Sequence, residues 1–245
     1  MNQTEYYLEL ENVSYKRDSL VLLNNISFKV NQGEFLTIGS GDISGKSSLL
    51  KLCAGLIQPD NGVIKINGKP LNGFSYNESQ KLRYKTGFVF QDGTLVSNLS
   101  IKENVALPLR YHLSLNEAET EKYATKYIEL LSLTSYADKR PAGLPDGIKL
   151  LTCLARALAV EPELLLLDEL FSSLDKTEIQ IVITLLKEIK KQRRITCIAT
   201  TKVVNILSYF PEAQLTDCLM ILESGKTTEY GICQTVRQKL LQEHK

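Results

Sequence analysis

The sequence predicts an α/β protein built on a largely parallel sheet with helices on both faces. Three observations carry this. Apolar runs of strand length alternate with longer segments of helical periodicity. The run "ELLLLDE" at 163–169 holds four successive leucines, as a strand covered on both faces requires. A glycine-containing turn, "GSGDISGKSS" at 39–48, joins a strand to a helix. At 245 residues and 43% hydrophobic content the chain can bury a large core, and no linker, repeat or low-complexity tract divides it.

The opening "MNQTEYYLEL" has neither a charged nor an apolar leader region, and no run reaches bilayer-spanning length. The chain is therefore expected to be cytoplasmic, with any membrane role supplied by a partner. From 7 to 30, short apolar runs alternate with polar turns and predict a small antiparallel sheet, to which 62–71 adds a hairpin through Asn67-Gly68. Between them, 34–38 reads as a strand and 47–56 as a helix that Gly55 can end. Apolar positions at i, i+3 and i+4 predict helix over 114–137 and again over 147–160. The strand 163–169 follows, and 194–200 and 218–224 supply two more buried strands. The basic run "KEIKKQRR" at 187–194 continues a helix whose apolar face is Ile181, Leu185, Leu186 and Ile189, so it reads as a solvated helix face.

Composition argues against some functions, a local basic patch aside. A net charge of +1 lacks the basic excess that neutralising a nucleic-acid backbone demands. The five cysteines, Cys53, Cys153, Cys197, Cys218 and Cys233, lack the short paired spacings of zinc or redox sites and read as reduced, space-filling thiols.

The chemistry concentrates in two places. At Gly45-Lys46-Ser47 a helix amino end and loop amides can hold phosphates, with the Lys46 ammonium reaching between them and the Ser47 hydroxyl facing magnesium. At the carboxyl end of the strand 163–169, where α/β sheets bind ligands, Asp168 can hold magnesium through water and Glu169 can orient an attacking water.

These motifs, in this order and at these spacings, resemble the nucleotide-binding subunits of ATP-binding-cassette (ABC) transporters over nearly the whole chain. The resemblance implies a P-loop NTPase fold of ABC type over 5–235: a RecA-like core, an amino-terminal antiparallel β subdomain, and a helical subdomain over about 93–160. It implies ATP and Mg2+ as cofactors. Tyr15 matches the residue that stacks on adenine. Ser40, Gly41, Asp42, Ile43, Ser44, Gly45, Lys46, Ser47 and Ser48 match the phosphate loop. Gln91 in "FVFQDG" matches the glutamine that joins magnesium to the membrane subunit, so that Ser47, Gln91 and Asp168 are the implied metal set. Glu169 is the implied catalytic carboxylate, and Asp175, closing "SSLD", matches a loop at the dimer interface. The implied partners are an integral-membrane permease and a second nucleotide-binding subunit, like or unlike, on the inner face of the cell membrane. The segment "FVFQDGTLVSNLSIKENVALPLRYH" is similar to ATPases of Mce/Mla-type lipid-trafficking systems, although "ENVALPLR" also resembles lipoprotein-release and other exporter ATPases.

Three departures stand against that pattern. Ser40 and Ile43 replace glycines, which strains the backbone wherever φ must be positive, and Asp42 adds a negative charge beside the phosphates. The signature Leu-Ser-Gly-Gly-Gln becomes Leu144, Pro145, Asp146, Gly147 and Ile148. Pro145 lacks both the hydroxyl and an amide proton, and Asp146 brings a carboxylate, although it can cap the following helix. Thr201 stands where the γ-phosphate-sensing histidine belongs; it can hydrogen-bond but never becomes cationic. Because each ATP site of a family dimer joins one subunit's phosphate loop to the other's signature, no pairing restores two complete sites. Two functions are therefore expected to compete: an ATPase subunit that drives transport, possibly of lipid, and a permease-docking subunit that hydrolyses little. A soluble nucleic-acid clamp or cofactor-assembly protein of the family is disfavoured by the charge balance.

Overall fold

A computed structural model describes residues 6–41, 45–112, 115–192, 195–202 and 215–243. Its strands form two sheets. The first is four-stranded and antiparallel, in the order β2-β1-β4-β5, from β1 (Leu8–Arg17), β2 (Leu20–Val30), β4 (Asn61–Ile66) and β5 (Lys69–Pro70). Asn67 and Gly68 both take positive φ and turn β4 into β5, as the dipeptide predicts.

The second sheet has six strands in the order β10-β9-β3-β8-β7-β6. These are β3 (Phe35–Ser40), β6 (Thr86–Val89), β7 (Leu164–Leu167), β8 (Thr196–Lys202), β9 (Cys218–Glu223) and β10 (Lys226–Ile232). All neighbours are parallel except β9 and β10. The four leucines of β7 show why it lies inside. Leu164 and Leu166 pack against the antiparallel sheet and α1 (Lys46–Cys53), whereas Leu165 and Leu167 pack against α5 (Asp146–Ala159) and α6 (Lys176–Lys191). Each fully buried leucine stabilises the fold by about 1.5–3 kcal/mol.

The interval between β6 and β7 is helical. It contains α3 (Ile101–His112), α4 (Glu117–Leu130) and α5, which pack on one another, while α2 (Tyr76–Tyr84) precedes β6 and α7 (Cys233–Glu243) covers Leu219 and Ile221 of β9. Among the described residues, no helix is long and apolar enough to cross a membrane.

Several expectations need correction. The helix expected over 114–137 is shorter: α4 starts at an Asn116 capping box and ends at Leu130, Ser132 turns at φ 57°, and Thr134–Tyr136 form a separate 3-10 turn. Residue 114 lies outside the described residues. The basic run is not simply solvated, because Lys190 donates to the Leu215 carbonyl and pairs with Asp217 at 2.8 Å. Arg193 and Arg194 lie outside the described residues.

Candidate functional site

β3 delivers the chain to the carboxyl edge of the parallel sheet, and the first turn of α1 begins there with Lys46. Gly45 makes the junction at φ 82°; a Cβ there would stand 2.6 Å from the Leu22 carbonyl oxygen and 2.9 Å from Leu23 Cδ2. Only glycine suits both that φ and that approach. A Cβ on Gly225, in the turn between β9 and β10, would meet the same Leu22 oxygen at 2.5 Å, and the Gly225 carbonyl accepts from Asn24 N at 2.7 Å. Leu22 is thus wedged between the start of α1 and the last hairpin. Tyr15 is the β-register partner of Leu23, which places the expected adenine-stacking ring one strand from Gly45, half-buried against the core.

Ser40 is the last residue of β3, without positive φ, so the strain expected of a serine there does not arise. Gly41 is exposed, with open space where a side chain would stand. Asp42, Ile43 and Ser44 lie outside the described residues. Lys46 is buried, while Ser47 and Ser48 behind it are half-buried.

β7 ends beside β8, which separates it from β3, and this order brings the carboxylates to the lysine. The Lys46 ammonium lies 3.1 Å from Glu169 Oε1, donates to the Gly41 carbonyl at 2.9 Å and contacts Ser40 Oγ. Glu169 sits in the left-handed region at φ 48°, an uncommon place for a non-glycine residue that sharply turns the chain out of β7. Thr200 holds this turn from β8: its Oγ1 donates to Asp168 Oδ1 at 2.8 Å and accepts from Glu169 N at 3.0 Å. Sequence reasoning missed Thr200 because it selected the adjacent Thr201, which is buried on β8 opposite Gly39.

Gln91 is exposed in the turn after β6, next to β7 in the sheet, where the Val89 carbonyl accepts from Asp168 N. The loop beyond it is fixed by another residue the sequence reading missed. The buried amide of Asn104 accepts from Val96 N and donates to the carbonyls of Val96, Leu99 and Ser100. A polar residue amid the apolar periodicity of α3 was the available signal.

The signature segment departs from its expected cap. Pro145, not Asp146, is the N-cap of α5, and it makes no side-chain cap hydrogen bond. Asp146 is already helical; its exposed carboxylate pairs with Lys149 at 3.0 Å. Leu144 is half-buried, Gly147 buried, and Ile148 packs into the core shared with α6. The Glu178 carboxylate occupies the space into which a Gly147 side chain would project. Asp175 caps α6, accepting from Glu178 N at 2.8 Å while Glu178 accepts from Asp175 N.

These positions define a nucleotide-binding fold of the phosphate-loop class. A family model described as ABC transporter matches residues 23–172, more than half of the chain. The methionine import ATP-binding protein MetN of Rhizobium johnstonii is 34% identical over 228 residues, 93% of this chain and 61% of that protein. The intermembrane phospholipid transport system ATP-binding protein MlaF of Haemophilus influenzae is 30% identical over 238 residues, 97% of this chain and 89% of that protein. The dimeric bacterial ABC transporter cassette MJ0796 superposes with a TM-score of 0.83 at 27% identity, over 92% of this chain and 98% of that one. The chain belongs to the ABC transporter family. It spans 61% of the length of the Rhizobium methionine-import relatives it matches.

Proposed function

We propose that this chain is an ATP-binding subunit that couples ATP binding and hydrolysis to transport, docked from the cytoplasmic side on a membrane permease and paired with a second cassette. Residues 5–235 act as one unit with a helical subdomain over about 93–160. The observation that carries this reading is the convergence of Lys46, Asp168 and Glu169 at the carboxyl edge of the parallel sheet, beside the amino end of α1.

The donor set suits the cofactors. Gly41 leaves open space beside the amino end of α1, and Asp168 with Ser47 offers the hard oxygens that Mg2+ prefers. Gln91 would join Asp168 and Ser47 in holding the ion. When bound, Mg2+ neutralises charge on the phosphates. Lys46 then holds the phosphate chain, Glu169 accepts a hydrogen bond from the attacking water, and Thr200 keeps both carboxylates in place. Tyr15 stacks on adenine and Thr201 donates a hydrogen bond to phosphate. We take a lipid as the substrate, a reading supported by the similarity to MlaF and by the segment after Gln91; the MetN relatives are named for methionine import.

A specific observation favours weak hydrolysis as the second reading. The α5 amino end, where the signature would meet the partner's nucleotide, presents a proline cap, the Asp146 carboxylate and the nearby Glu178 carboxylate. The test is titration with a fluorescent ATP analogue in Mg2+, alongside phosphate release. Saturable binding is expected in wild type and lost in Lys46→Ala; Glu169→Gln keeps binding and abolishes release. Binding without release in wild type selects the second reading, and no binding at all overturns the first and leaves a subunit whose fold serves permease docking alone.

A further inference from the structure

Ser40 has no part in the mechanism above beyond its place in the loop, yet its hydroxyl meets the central cation of the site. An ammonium carries three N–H donors. Three acceptors surround the one on Lys46: Ser40 Oγ, the Gly41 carbonyl at 2.9 Å and Glu169 Oε1 at 3.1 Å. Ser40 Oγ also donates to the Gly41 carbonyl at 2.8 Å. The cluster is shielded from water, with Ser40 exposed by 1%, Lys46 by 4% and Glu169 by 8%. Glu169 cannot drift from it easily. Its amide is held by Thr200, its carbonyl accepts from Ser172 Oγ at 2.7 Å, and its left-handed backbone fixes the direction of the side chain.

We propose that Ser40 is a positioning residue that holds the Lys46 ammonium against Glu169, so that a phosphate must draw Lys46 away from both and thereby releases Glu169. The proposal rests on the nucleotide reading of the same site. A phosphate oxygen and Glu169 compete for one ammonium, so each contact that Lys46 gains with phosphate is withdrawn from the carboxylate. A glycine at position 40 offers no side-chain acceptor; the serine hydroxyl adds one to the arrangement in which Lys46 meets Glu169. It therefore lowers nucleotide affinity while tying the freedom of the water-orienting carboxylate to the arrival of substrate.

The experiment measures acylation of Lys46 by acetic anhydride in nucleotide-free protein, read by mass spectrometry against the exposed Lys191, in wild type, Ser40→Ala and Glu169→Gln. Lys46 is expected to react slowly in wild type and about tenfold faster in each variant, the factor that one charge-assisted hydrogen bond represents. Ser40→Ala is also expected to bind the Mg2+–ATP analogue about tenfold more tightly. Ser40→Gly should do the same. A purely structural serine would give the opposite sign, faster acylation with weaker binding, and that result overturns the proposal. An unchanged Lys46 rate in Ser40→Ala overturns it as well. If no protein in the series binds nucleotide, the transport reading falls, and the acylation rates still decide whether Ser40 holds Lys46 on Glu169.

Discussion

Thr200 shows how much of the candidate site's geometry can hang on one buried hydroxyl. Its hydroxyl fills the gap between Asp168 Oδ1 and Glu169 N, and it is fully buried. Thr200→Val keeps the shape and strands the Glu169 amide without an acceptor, which costs about 1–3 kcal/mol. The urea midpoint should fall accordingly, with phosphate release falling further because both carboxylates lose their brace; unchanged stability would show that the amide finds another partner. Lys46, Asp168 and Glu169 were legible in the sequence because their motifs are contiguous and chemically unusual. Thr200 was not, since in a strand buried on both faces a threonine looks like packing. The meeting of Lys46 with Glu169 was equally hidden, because nothing local to either residue records the order of the strands.

At the level of elements, α5 and α6 divide the work differently from the way their sequences suggest. Asp175 is exposed and forms half of a capping box with Glu178. Asp175→Ala should destabilise the protein by about 1 kcal/mol even without a partner subunit, which thermal unfolding would detect. Ile148 belongs to the core, so a glutamine there, although closer to the family signature, buries an amide at about 1–3 kcal/mol. Restoration of the signature is better attempted with Pro145→Ser and Asp146→Gly, both at exposed positions; an increase in phosphate release would identify that segment as limiting. The helices found from sequence were those with long apolar periodicity. By contrast, α2 is short and mostly polar, and α3 carries Pro108 in its interior, which obscures the pattern. The end of α4 was misjudged because apolar residues continue through the turn that packs beneath it.

Across the molecule, the α/β class and the separate antiparallel sheet followed from alternation and turn chemistry, but the strand order did not, since β3 pairs with β8 and β9 from distant parts of the chain. The cysteines provide a global test of that interior. Burial pushes the Cys53 thiol up to about 12 and that of Cys153 up to about 11. In the unfolded chain they ionise near pH ~8.5. Because the folded values are raised, this contribution is complete below the unfolded value and is lost as pH rises above it. Stability should therefore be insensitive to these thiols at pH 6–8 and decline through about pH 9–11, with a shallower decline in Cys53→Ala when urea midpoints are compared. The wedge at Leu22 has a consequence for biosynthesis. Its carbonyl is approached by Gly45 and by Gly225, which are far apart in sequence, so a nascent polypeptide can make the first contact long before the second. The wall behind the phosphate loop therefore waits for the β9–β10 turn, and a chain halted before that turn lacks one side of the clamp on Leu22.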